Sequence, residues 1–156
     1  MSQEITMQGF DDLQRRFDKV IREESKKRRQ IHLKLNDLMK EQVDDEILDS
    51  GLRDRHGKVR SWQGKFPGSG GGYAAVRAIP GKNDDGYAYG YITNALENGH
   101  RVRRSYRLGY VSKSRRFTVE GYGFYDNARF MLKTWSRMGA EELAEWVRDV
   151  LEGRET

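Results

Sequence analysis

Cysteine is absent from this 156-residue chain and proline occurs only twice. Without thiols there is no disulfide framework, no thiolate metal site and no cysteine nucleophile. Long hydrophobic runs are missing too: no uninterrupted apolar stretch approaches the ~20 residues needed to cross a bilayer. The opening MSQEITMQGFDD carries neither an apolar run nor a cleavage pattern, so a soluble product made in the cytoplasm, with no membrane partner, is expected. Leu, Ile, Val and Phe together number 32, close to the ~20% level below which charged chains tend to stay disordered. The core is therefore expected to be lean. Tyr, Trp and Met add 16 residues, and each large aromatic buries ~150–250 Å², so the chain closes without being Leu-rich. At ~100–200 residues per domain, the length predicts one domain over 1–156.

What is present is unevenly distributed. Residues 1–50 carry 10 Lys/Arg against 12 Asp/Glu, residues 51–123 carry 14 against 5, and residues 124–156 carry 5 against 7. All of the overall net charge of +5 comes from the middle zone, which also holds 14 of the 17 glycines. Composition and charge change together, marking helical ends around a strand-and-turn centre.

Apolar residues at Phe10, Leu13, Phe17, Val20 and Ile21, then Ile31, Leu35, Leu38, Val43 and Ile47, follow helical spacing and predict one or two helices over 10–49. The stretch REESKKRRQ between Ile21 and Ile31 has no apolar side chain, so a helix there is exposed or broken. Gly51 is placed to end the helix. Residues 57–123 predict an antiparallel meander: KVRSWQGKF, YAAVRAI and YAYGYIT as strands, and GSGGG (68–72) as a mobile tip or arm. Residues 125–152 return to helix, with Ala128, Met131, Leu132 and Trp135 on one face, Gly139 as an interruption, and Leu143, Trp146, Val147, Val150 and Leu151 on a second face, ended by Gly153. This C-terminal pair is expected to hold the sheet, with Trp135 and Trp146 as core anchors. The fold class is α+β: a long N-terminal helix, a small antiparallel sheet with an extended basic loop or hairpin, and a C-terminal helix pair.

Motifs for catalysis are lacking. His32, His56 and His100 have no metal-binding spacing. Lys65 precedes its glycines and is followed by Phe66, the wrong order for a phosphate-binding Walker loop. Asp44 with Asp45, and Asp84 with Asp85, are adjacent in sequence, which provides neither burial nor opposed positions across a cleft. No serine has a nucleophile-elbow flank. Neither enzymatic turnover nor a catalytic, cofactor-binding or metal site is expected. The most anomalous segment is 101–116, RVRRSYRLGYVSKSRR, in which Arg101, Arg103, Arg104, Arg107, Lys113, Arg115 and Arg116 stand without a single acid. Arginine forks suit phosphate, and Tyr106, Tyr110 and Phe117 offer stacking groups, so nucleic-acid contact is one reading. Pairing with acidic helices of a neighbouring subunit, or plain solvation, are the others.

Residues 87–104, YAYGYITNALENGHRVRR, and 119–132, VEGYGFYDNARFML, resemble the small neck or tail-completion proteins of long-tailed bacteriophages. In that family a Tyr-rich strand leads to a Glu-x-Gly-His-Arg turn, then a variable basic stretch, then a Val-x-Gly segment opening a helix. Glu97, Gly99, His100 and Arg101 match the turn, and Val119, Gly121, Phe130 and Met131 match the second part; Glu120 stands where the family commonly has proline. The resemblance implies a non-enzymatic virion protein of the head-tail connection, made in the host cytoplasm. It further implies a homo-oligomeric ring around the DNA path, with other head-completion and tail proteins as partners. The alternative is a non-sequence-specific nucleic-acid binder using 101–116.

Overall fold

The computed structural model describes residues 7–101 and 118–154. The chain is α+β. Helix α1 (Met7–Asp49) is followed by a 3-10 turn (Arg55–Gly57), α2 (Lys58–Ser61), β1 (Gln63–Pro67), β2 (Ala74–Ala78), α3 (Tyr89–Asn98), β3 (His100–Arg101), β4 (Thr118–Val119), α4 (Phe124–Arg129) and α5 (Leu132–Glu152). It divides into two compact units. One comprises Met1–Leu38, Phe66–Ala75 and Met131–Thr156, and the other Met39–Lys65 and Val76–Phe130.

In the first unit α1 and α5 run antiparallel. Arg16 donates to the Leu151 carbonyl (2.8 Å), Lys27 and Lys34 both reach Glu142 (3.3 and 2.8 Å), and Gly139 lies against Ile31 and Leu35. The charged stretch 22–30 is thus unbroken helix, contrary to one of its two expected forms. Its Lys27 supplies the interhelical contact that an apolar side chain supplies elsewhere. Gly139 does not interrupt α5 as expected. A Cβ there would stand 3.1 Å from Leu35 Cδ1 and 3.2 Å from Ile31 Cγ2, so the missing side chain lets the helices approach closely. The helical break falls instead at Phe130–Met131. Trp135 is buried as expected, whereas Trp146 is half-buried. Phe10, Leu13, Phe17 and Ile21 are exposed on α1 rather than in a core. The GSGGG segment is a closed turn and not an arm: Gly68 N–H bonds Tyr73 O (2.9 Å), Gly71 N–H bonds Gly68 O (3.0 Å), and Gly71 abuts the Arg29 backbone.

The second unit holds a small core of Val43, Ile47, Val59, Phe124 and Ala128, flanked by Leu52, Trp62, Val76, Leu96 and Tyr125. It is lean, as the composition implies. Asp54 starts α2 by accepting the Val59 and Arg60 N–H groups (2.8 and 3.3 Å) and the Arg60 guanidinium (3.0 Å). Burial alone raises the Asp54 pKa, but these donors outweigh it and hold the carboxyl below its ordinary range. That local cap turns the first part of KVRSWQGKF into helix and leaves Gln63–Pro67 as strand. Among the described residues the expected meander is also absent. β1 pairs with β2 in a hairpin, β3 pairs with β4 in a separate two-stranded ladder, and α3 intervenes. The Tyr87, Tyr89, Tyr91 alternation looks like a strand, yet Tyr89, Ile92 and Leu96 also fit a helical face. Tyr89 stacks on Trp62 at 4.7 Å, and Thr93 and Glu97 are buried. Among the described residues, α4 shares a core with a strand residue, Val76, whereas α5 packs on α1.

Asn36 on α1 is 1% exposed and neither of its amide atoms has a protein partner, at ~1–3 kcal/mol for each unmet group. Asn36→Leu should therefore raise the melting temperature. Gly139→Leu should lower stability by about 1–3 kcal/mol through overpacking against α1, as read in denaturant melts.

Candidate functional site

The two halves of the family-like motif come together around Glu97, at the C-terminal end of α3. Gly99 leads out of the helix at φ +75°, a conformation that favours glycine. His100 then pairs with Val119 and Arg101 with Thr118 in the antiparallel β3–β4 ladder. The two backbones touch. A Cβ on Gly99 would fall 2.3 Å from the Val119 carbonyl oxygen, and one on Gly121 would fall 2.1 Å from that of Glu97. Tyr122 and Gly123 N–H groups bond the carbonyls of Leu96 and Glu97 (2.8 and 3.1 Å). Glu97 Oε2 accepts the Tyr125 N–H and Oε1 accepts the Asp126 N–H, each at 2.9 Å. One buried carboxylate thus saturates two of the donors left open at the start of α4, where the helix dipole also favours negative charge.

A second polar side chain extends this clasp into the core. Gln63 on β1 is 3% exposed, and its amide nitrogen donates to Val59 O (2.9 Å) and Thr93 Oγ1 (3.3 Å). Its carbonyl oxygen accepts the Tyr125 hydroxyl proton. Burial, and then the negative charge of Glu97, push the Tyr125 hydroxyl up to about 12. Every polar group of the network has a partner, so the network fixes geometry; Glu97 and Tyr125 are held as acceptor and donor.

The expected site residues separate into two sets. Glu97 and Gly99 form the clasp, and His100 and Arg101 lie exposed on β3. Arg103, Arg104, Arg107, Lys113, Arg115 and Arg116 lie outside the described residues. The described chain does fix where their segment begins and ends, because Arg101 and Thr118 are direct ladder partners. Val119 and Gly121 join the clasp. Phe130 and Met131 instead form the link between α4 and α5, with Phe130 83% exposed. Among the described residues no three His, Asp or Glu side chains converge as for a metal ion, and no helix is long and apolar enough to cross a membrane. Asp84 is exposed near Lys58 (3.9 Å), and Asp44 pairs with Lys40. Sequence reasoning missed Gln63, Thr93 and Tyr125; a buried glutamine in a strand leaves no spacing signal. Compared with protein-family models, with curated proteins and with solved structures, the chain matches none.

Gly121→Ala should destabilise the protein by more than about 2 kcal/mol, because backbone must move to admit the methyl group. Tyr125→Phe should cost about 1–3 kcal/mol by stranding the Gln63 carbonyl. Since the folded-state pKa of Tyr125 is raised, its contribution is complete below about pH 10 and lost as pH climbs towards 12. Thermal melts across that window should fall more steeply for wild type than for Tyr125→Phe.

Proposed function

We propose that this chain is a structural protein of the phage head-tail connection, a neck or tail-completion subunit. It works without turnover as a ring of identical copies around the DNA path. The observation that carries this reading is the clasp. Glu97-x-Gly99-His100-Arg101 and Val119-x-Gly121, the segments on which the family resemblance rests, lie in direct backbone contact, and both glycines sit where a methyl group would collide with a carbonyl. Segments 22 positions apart, counted from Gly99 to Gly121, thus behave as one motif, the pattern a shared fold would impose. A lean core and exposed apolar residues on α1 add to this, because assembly buries surface that a single subunit leaves wet. In the ring, neighbouring copies and the adjoining head-completion and tail proteins are the partners. The virion is the site of action.

The competing reading is a non-specific nucleic-acid binder that uses the 101–116 segment, favoured by its seven uncompensated charges. Salt separates the two. A binder that neutralises several phosphates loses orders of magnitude in affinity between about 50 and 200 mM salt. The structural reading expects only weak, sequence-independent DNA retention at the upper end, and tight preference for one duplex sequence would overturn it. Removing the gene should leave filled heads and tails unjoined. Normal infectious yield after removal would contradict the proposal.

A further inference from the structure

The first unit carries a groove between α1 and α5 that the clasp does not use. Leu35, Leu38 and Met138 form its apolar part beside Gly139, and its volume is about 420 Å³. That space suits two or three side chains of a passing segment and is far too small for a folded domain. Glu141, Glu142 and Glu145 line it together with Lys34. Glu142 is occupied by Lys34 and Lys27 (2.8 and 3.3 Å). Glu141 and Glu145 are exposed and one helical turn apart, with Arg137 and Arg148 a turn beyond them on α5. Like charges at this spacing repel. An acidic lining beside an apolar part also repels phosphate, so the groove selects against nucleic acid and for a cationic segment bearing apolar side chains.

The segment of this chain with the densest such chemistry is 101–116. Residues 101–116 hold seven cations, no acid, and Tyr106, Leu108, Tyr110 and Val111 among them. We propose that the α1–α5 groove is the docking site for the 101–116 segment of a second copy of this chain, with arginines on Glu141 and Glu145 and an apolar side chain on Leu35, Leu38 and Met138. The proposal rests on the ring reading and names its contact. A segment meeting a different patch on the next copy is the heterologous contact that closes rings. It also pairs the net +9 middle of one chain with the net −2 C-terminal zone of the next.

A charge swap tests it on the full-length chain. Four proteins are compared by sedimentation velocity at about 50 and 500 mM salt: wild type, the groove variant Glu141→Lys/Glu145→Lys, the segment variant Arg103→Glu/Arg104→Glu/Arg107→Glu, and the variant combining both. Glu142 is left intact because it ties α5 to α1, and far-UV circular dichroism confirms that each variant is folded. Wild type should self-associate at low salt, each single reversal should weaken association at least about tenfold, and the combined variant should recover it. Four outcomes overturn the proposal. They are a wild type that stays monomeric up to about 200 µM, association indifferent to the groove reversal, no recovery in the combined variant, and a segment reversal that abolishes DNA retention but leaves association intact. Rings that form and ignore the groove reversal would sink this contact alone. Absence of the protein from virus particles would sink the ring reading whatever the groove does.

Discussion

A buried carboxylate with both oxygens committed to backbone N–H groups is the interaction on which the second unit depends. Glu97 lies in the last turn of α3 and accepts the N–H groups that open α4, tying the two helices together. A carboxylate is expensive to bury unless its oxygens are bonded, and here each accepts a short, charge-assisted hydrogen bond. Gly99 and Gly121 make this possible by letting two backbones come closer than any side chain would allow. Gln63 and Tyr125 then tie the same turn to β1, so that polar groups specify a geometry which the small apolar core could not specify alone.

The first unit is organised differently. The α1–α5 pair is held by a close approach at Gly139, by the two lysines on Glu142, and by Arg16 at the C-terminal end of α5. Glu142 has its pKa lowered chiefly by the Lys34 hydrogen bond, against the opposing effect of burial. Exposed Phe10, Leu13, Phe17 and Ile21, and the unpartnered amide of Asn36, leave this unit with apolar surface in water and polar groups out of it. Both are costs that a subunit bears when its neighbours complete it, in keeping with the proposed assembly.

The α+β class, the long first helix, its end before Gly51 and the end of α5 at Gly153 were legible in the sequence, because helical spacing and terminal glycines act locally; both glycines adopt left-handed φ, +77° and +72°. The Glu97 turn was legible as a motif but not as a cap, since its acceptor role depends on a helix that begins 27 residues later. Three features were illegible for physical reasons. YAYGYIT satisfies both a two-residue and a helical period, and packing of Tyr89 on Trp62 favours the helix. Gly139 reads as a breaker until the helix it must approach is known. Charged residues 22–30 lack an apolar stripe, and their tertiary contacts, Lys27 on Glu142 and Arg29 against Gly71, are not visible in the sequence.

The proposed role makes the basic segment, offered from the paired residues Arg101 and Thr118, a contact between copies in a particle. The most direct measurement is antibody-gold labelling of purified virions, read by electron microscopy against particles from a deletion strain. Label confined to the junction of head and tail, and absent from the deletion particles, is the predicted result. Particles that carry the polypeptide nowhere, or label spread over the capsid-enclosed DNA with none at the junction, would contradict the account.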